Sequence, residues 1–249
     1  MRRFYVDEIL GTQASFAIIG AEAKHIARVL RMGPGDRIVL LDRVGARFLA
    51  LIEEVSRHRV LVNLERPIPA PDPSPVRITL CQALLKSNPM DLVVEKTSEL
   101  GVDRILPYIA DRTVVKVGGE RIHGKLRHWQ DIAQSAAKQS DRSMPAEIDP
   151  IHSFDEMLAR LSKDSGLKIL LWEQEGARGL KDLLRSTAPT RGVFAMVGPE
   201  GGFTEREVKE AYHAGFVSVS LGRRILRAET AAISMVVIIQ YEWGDLHLH

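Results

Sequence analysis

The sequence predicts an α/β protein in which a domain with a largely parallel sheet follows a small β-rich domain. Three observations carry this. PIPAPDPSP, residues 67–75, places proline at every second position and divides the chain. Before it, short strand-like runs alternate with turn residues. Beyond it, apolar strand runs alternate with helices, the pattern of a parallel sheet covered on both faces. The proline segment has few backbone donors and favours extended polyproline geometry, so it reads as a semi-rigid linker. Domains are expected at residues 1–70 and 71–249.

Bulk properties narrow the class. A chain of 249 residues has room for one or two domains and a core that needs no disulfide. Its 45% hydrophobic and 27% charged residues are those of an ordinary globular protein. The single cysteine, Cys81, can form no internal disulfide and supplies no thiolate cluster. MRRFYVDEIL carries no signal-peptide core, and no run approaches the roughly 20 apolar residues of a membrane helix. A cytoplasmic location is therefore expected. The net charge of +2 is unevenly placed: residues 1–66 hold 11 Lys and Arg against 8 Asp and Glu. A modest basic excess there is compatible with nucleic-acid contact as well as with plain solvation.

In the first part, AEAKHIARVLR (21–31) has one apolar face and reads as a short helix. MGPGD then breaks the chain. DRIVLLD, ARFLALIEEV and HRVLVNLE follow as strands, separated by the turn-like DRVG and SRH. Several short strands with one helix suggest a small barrel. Arg28 and Arg31 are among the seven arginines that decorate it, and they are the candidate RNA contacts there.

After the linker, VRITLCQAL (76–84) is a strand candidate. SNPMDLVVEKTSELG follows as a helix with Ser87 or Asn88 as cap, Pro89 at its first position and Gly101 just past its end. RILPYI, a basic helix around HGKLRHWQDIAQSAAKQ, and the runs GLKILLW, RGVFAMV and FVSVSL complete the alternation. In such sheets ligands bind beyond the carboxyl ends of the strands.

MVGPEGGFTEREV (196–208) lies at one of those ends. Thr204 caps the following helix, Glu207 completes a capping box, and Phe203 can staple onto Val208. A tight turn needs one or two glycines; Gly198, Gly201 and Gly202 around Pro199 leave more bare backbone, which favours close approach of a ligand or another loop. Phosphate is the usual guest at a helix N-terminus, but Glu200 would repel it and no loop lysine offsets the charge. The spacing is not GxGxxG either. A cationic or neutral ligand suits the loop better, and an ion pair to a nearby arginine is the plain alternative for Glu200. GERIHGKL (119–126) matches GxxxxGK but has Leu126 where a phosphate loop needs Ser or Thr. No HExxH, paired CxxC or GxSxG occurs, and the terminal HLH lacks further ligands, so no metal is expected.

LGRRILRAETAAISMVVIIQYEWG (221–244) crowds three arginines into a turn, then runs without a charge from Thr230 to Tyr241. Its composition favours a helix that is apolar nearly all round and so buried on several sides. Packing against a second subunit as well as its own sheet would account for this.

GPEGG followed by LGRRILRAETA resembles the RsmE family of ribosomal RNA methyltransferases, within the SPOUT superfamily. MDLVVEKTSELGVDRILPYIADRT and WQDIAQSAAKQSDR match further stretches of that family, with Lys138 in place of its usual glutamate and Asp141 where a small residue is common. The resemblance covers essentially the whole chain. It implies an N-terminal PUA-like β-barrel, a C-terminal trefoil knot, a homodimer, and S-adenosyl-L-methionine as cofactor. The implied substrate is 16S rRNA of the small ribosomal subunit, methylated at uridine N3. Carried over by motif, the cofactor pocket comprises Leu171 and Trp172; Gly198, Pro199, Glu200, Gly201 and Gly202; and Leu221, Gly222, Arg224, Ile225 and Leu226. A sulfonium is cationic and tolerates Glu200.

Uracil N3 carries a proton that must leave before or during attack on the methyl group. That requires a base, or cations that stabilise charge on the flanking carbonyl oxygens. Arg227 is the expected cation and Glu229 the candidate base. Arg142 is placed with them, and with Gln139 as an RNA-site partner. A ribose 2′-O-methyltransferase and a non-catalytic ribosome-binding module are the alternatives; the methylated nucleoside separates the first and cofactor binding the second.

Overall fold

The structure is a computed structural model that describes residues 1–246 apart from 12, 116, 117 and 119, with backbone alone for 120 and 121. The terminal HLH and the first glycine of GERIHGKL lie outside the described residues. The chain forms two compact units. One is Met1–Asp72 with Asp141–Met144; the other is Pro73–Ser140 with Pro145–His249.

The first unit contains β1 (Arg3–Tyr5), β2 (Ser15–Ile19), α1 (Gly20–Lys24), β3 (Arg37–Leu41), β4 (Arg47–Val55) and β5 (Arg59–Ile68). Its sheet order is β1-β3-β4-β5-β2, antiparallel except for β1 on β3. Two register shifts between β4 and β5 bend the pair, and Ile18, Ile38, Leu40, Ile52, Val60 and Val62 fill the enclosed side. β5 runs into the expected linker as far as Ile68. Pro67 is tolerated there because β2 pairs only with Arg59–Asn63, leaving the far half of β5 an edge.

The single helix expected over 21–31 is instead α1 followed by a π-turn, His25–Val29, closed by Leu30 N–H donating to the His25 carbonyl at 3.0 Å. Residues 141–144 pack on this unit. Asp141 at φ 62° pairs with Arg3 Nε at 2.7 Å and with the buried Arg47, while Tyr5 OH donates to the Arg142 carbonyl. Burial pushes the Tyr5 phenol up to about 12, which keeps its proton in place as a donor.

The second unit comprises β6 (Arg77–Ala83), α2 (Ser87–Glu99), β7 (Arg104–Ile109), α3 (Glu120–Gln139), β8 (Glu147–Ile148), β9 (His152–Ser153), α4 (Phe154–Leu161), β10 (Leu167–Leu171), α5 (Leu180–Ser186), β11 (Gly192–Val197), α6 (Glu205–His213), β12 (Val217–Val219) and α7 (Ala228–Trp243). Its strands are all parallel, in the order β12-β10-β11-β6-β7-β8, with β9 also on β7. α2, α3, α5 and α7 cover one face of the sheet, and α4 and α6 cover the other. Buried strands therefore carry apolar residues on both parities, as Ile169, Leu170, Ala195 and Met196 do. After edge strand β12 the chain returns to the middle of the sheet, where α7 packs on β6, β11, α2 and α5.

Two local expectations are refined. α2 begins at Ser87 with Lys86 as its N-cap and no side-chain cap, so Pro89 stands at the third helical position, where a missing N–H still costs nothing. Gly101 does follow the helix, at φ 92°; a Cβ there would meet Gln240 Nε2 of α7 at 2.6 Å.

Candidate functional site

The carboxyl ends of β10, β11 and β12 open into a cleft of about 730 Å³, within the usual range for a small-molecule site. Three loops line it: Leu171–Glu173, Gly198–Phe203 and Ser220–Arg227, with Ala228, Glu229 and Ala231 of α7, Pro89 of α2 and Lys86, the N-cap of α2. Every residue assigned to the cofactor by motif lies here, as do Arg227 and Glu229. Arg142 does not; its backbone is held in the first unit by Tyr5. Gln139 ends α3, Arg28 lies in the π-turn, and Arg31 follows it at φ 50°.

The glycine loop is shaped by its own neighbours. A Cβ at Gly198 would meet the Phe203 ring at 3.0 Å, and one at Gly201 would meet Arg112 Cβ at 3.0 Å and its carbonyl at 3.4 Å. At Gly202, φ is 68° and a Cβ would strike the Glu173 carboxylate at 2.5 Å. The bareness, expected to admit a ligand or another loop, thus faces protein at all three positions. What a ligand meets is the contour that this packing leaves.

Side chains then fix the loop. Arg112 Nη1 donates to the carbonyls of Gly201 at 3.0 Å and Phe203 at 3.3 Å. The turn carrying Arg112 is itself tied to the start of α6: Glu207 accepts from Asp111 N–H at 2.9 Å, and Arg206 pairs with Asp111 at 2.8 Å. The Arg206 hydrogen bond holds the Asp111 carboxyl below the usual carboxylate range. Thr204 and Glu207 form the expected capping box. Tyr108, whose buried phenol is pushed well up, donates to the carbonyl of Val197, the last residue before the loop, at 2.9 Å. Among the described residues Glu200 makes no ion pair to an arginine; its Oε1 accepts from Lys86 N–H at 3.2 Å.

The loop after β10 is tied in a similar way. Glu175 accepts from Ala177 N–H at 2.9 Å, from Arg178 N–H at 3.3 Å and from the Ser218 hydroxyl on β12. The Ser218 bond, ahead of the backbone donors, holds Glu175 below the ordinary carboxylate range. Trp172 and Glu173 are therefore presented from a braced turn. Burial pushes the Cys81 thiol up, so this residue is core filling rather than a nucleophile.

The donor set suits a sulfonium cofactor. Glu173 and Glu200 bring negative charge to the cleft, which a phosphate would avoid and a cation would not. α7 points its N-terminus at the cleft with no side-chain cap on Arg227, so its first N–H groups are available to a carboxylate or a developing anion. Arg223, Arg224 and Arg227 stand exposed along the rim. Among the described residues, His, Cys, Asp and Glu gather nowhere in a group of three suited to a metal, and no helix is long and apolar enough to cross a membrane.

Lys86, Glu173 and Arg112 were not anticipated from the motifs. The first two flank motif residues or sit at strand ends, which was a usable signal. Arg112 follows β7, another carboxyl end, but its role depends on a contact 89 residues away.

Comparison with known proteins places these features in a family setting. Residues 72–240 match the family described as RNA methyltransferase domain, and residues 18–65 the RNA methyltransferase PUA domain. The chain is 32% identical to ribosomal RNA small subunit methyltransferase E of Mycobacterium bovis, covering 96% of this chain and 92% of that one. It is 28% identical to the protein of that name from Bacillus subtilis, covering 97% of each. Among solved structures, ribosomal RNA small subunit methyltransferase E from Neisseria gonorrhoeae bound to S-adenosyl methionine superposes with a TM-score of 0.91 at 35% identity, over 99% of this chain and all of that one. A Legionella pneumophila structure with bound SAM gives 0.90 at 30% identity, over 98% of each.

Proposed function

The chain belongs to the RsmE family of RNA methyltransferases, and on that footing we propose that it transfers the methyl group of S-adenosyl-L-methionine to N3 of a uridine in 16S rRNA. The observation that carries this reading is the meeting of all three motif loops in one cleft, with Arg227 and the open N-terminus of α7 at its side.

When bound, the cofactor supplies an electrophilic methyl group on a sulfonium. Leu171, Trp172, Gly198–Gly202 and Leu221–Leu226 hold it, with the bracing described above fixing the contour. Glu173 and Glu200 favour the cationic over the neutral form. Arg227 and the N–H groups of the first turn of α7 stabilise the negative charge that develops on a uracil carbonyl oxygen as N3 loses its proton. Glu229, on the same turn and half-exposed to the cleft, accepts that proton.

RNA is held outside the cleft by Arg28 and Arg31 of the first unit and by Gln139 and Arg142. Two copies associate through α2 and α7, whose Leu92, Val237 and Tyr241 remain exposed after the unit's own core has formed. The protein acts in the cytoplasm, on the small ribosomal subunit or its RNA. Incubation with labelled cofactor and 16S rRNA, followed by digestion to nucleosides, tests the reading. N3-methyluridine is expected, whereas a ribose-methylated nucleoside or no labelled product overturns it.

A further inference from the structure

Arg223, Arg224, Ile225, Leu226 and Arg227 form the rim of the cleft, and one of them is out of place for a folded protein. Ile225 is 90% exposed, more than any other large apolar side chain among the described residues. It is not on a loose tip, because Leu221 and Leu226 on either side pack against the core of the unit. Its charged neighbours Arg223, Arg224 and Arg227 are also exposed, and none has an acidic partner among the described residues. The loop therefore presents an apolar point between cations, braced from below.

We propose that Ile225 is a wedge that enters the RNA base stack beside the target uridine, while Arg223 and Arg224 hold the flanking phosphates. The inference rests on the methyl transfer proposed above and follows from its chemistry. N3 lies on the pairing edge of uracil, so the base must leave its stack before that atom can face the cleft. Apolar side chains inserted at a base step stabilise such a displacement by occupying the vacated space. Phosphates on each side of the step match unpaired arginines better than any apolar partner would. On this view the backbone of Arg223, Arg224 and Ile225 serves the cofactor and their side chains serve the RNA.

The test uses the full chain and an RNA fragment holding the target uridine, with 2-aminopurine at the adjacent position. With wild-type protein, binding should raise the fluorescence as the neighbouring base unstacks. Ile225→Ala should abolish that rise and lower kcat/KM for the RNA by about tenfold or more, with cofactor affinity by calorimetry within about twofold. Ile225→Leu should restore both readouts. An unchanged fluorescence rise in Ile225→Ala, or its absence in the wild type, overturns the wedge. So does an equal loss of cofactor affinity, which would give the side chain to the cofactor. A changed mass in light scattering would also overturn it, by giving the side chain to a second copy. If the wild type methylates a ribose oxygen instead, the proposed function fails, and the fluorescence still decides the wedge.

Discussion

Glu200 and Lys86 are joined by a hydrogen bond from the Lys86 backbone N–H to the Glu200 carboxylate at 3.2 Å, which ties the glycine loop to the N-cap of α2. That bond asks for an acceptor, and the charge that favours a cation in the cleft is shared with Glu173. Glu200→Gln keeps an acceptor oxygen and should bind S-adenosyl-L-methionine within about threefold of wild type. Glu200→Leu should weaken binding by roughly fivefold or more, the worth of one net hydrogen bond near 1 kcal/mol. Calorimetry on the two variants checks this. An equal loss in both would mean that the negative charge itself holds the cofactor.

Gly201→Val should act through Arg112. The added side chain meets Arg112 Cβ and carbonyl at the closest contacts around that glycine, and forcing extra atoms into packed structure typically costs about 1–3 kcal/mol. Both thermal stability and cofactor affinity should fall. Arg112→Ala, which removes the clamp on Gly201 and Phe203 without overpacking, should lower affinity with a smaller change in melting temperature. Differential scanning fluorimetry and calorimetry on the pair distinguish the two effects.

Arg227→Ala should retain cofactor affinity and lose turnover, because its interaction strengthens only as charge develops on the base. Removal of a well-placed electrostatic donor costs on the order of 100- to 1,000-fold in rate. Single-turnover measurements on RNA provide the check; normal turnover would shift the role to the first-turn N–H groups of α7.

Acid should loosen the cleft late. Asp111 and Glu175 both titrate below the usual carboxylate range, held there by Arg206 and by Ser218 respectively. A carboxylate with a depressed folded pKa contributes stability that is fully present above its unfolded value and lost as pH falls through the folded one. Cofactor affinity should therefore be insensitive to these groups between about pH 5 and 8, and decline below about pH 4. Glu175→Gln should remove part of that decline in a calorimetric pH series.

Tyr241→Asp should shift assembly from dimer to monomer. Tyr241 is 59% exposed and Val237 37%, whereas Ile238 is half-buried against the unit's own core, so Ile238→Asp would damage the fold first. Light scattering reads the mass, and circular dichroism verifies that the variant is folded. A Tyr241→Asp protein of wild-type mass would remove this face from the interface.

Much of this organisation was legible in the residues. The alternation beyond the linker gave the parallel sheet because its strands are apolar on both parities. Thr204 and Glu207 announced α6. Ser153 and Glu156 carry the same capping box for α4, a signal readable in the sequence. The π-turn at His25–Val29 was not legible, since the apolar spacing of an α-helix and of one widened turn is nearly the same over so few residues. Nor was the reason for the glycines. Their neighbours Arg112 and Glu173 arrive from other strands, and no local pattern encodes a contact set by sheet order.

The pairing of Arg47 and Arg3 with Asp141 has a consequence for birth on the ribosome. The first 72 residues leave the synthesis machinery well before residues 141–144, the remainder of their compact unit. Asp141 follows Arg47 by 94 residues, so at about 5–20 residues per second Arg47 waits roughly 5–19 s for the carboxylate that neutralises it. During that interval the nascent barrel holds a cation without its native partner and Tyr5 without the Arg142 carbonyl. Completion of the N-terminal unit is thus timed by synthesis of α3, and a chain stalled before Asp141 should be held as an unfinished barrel.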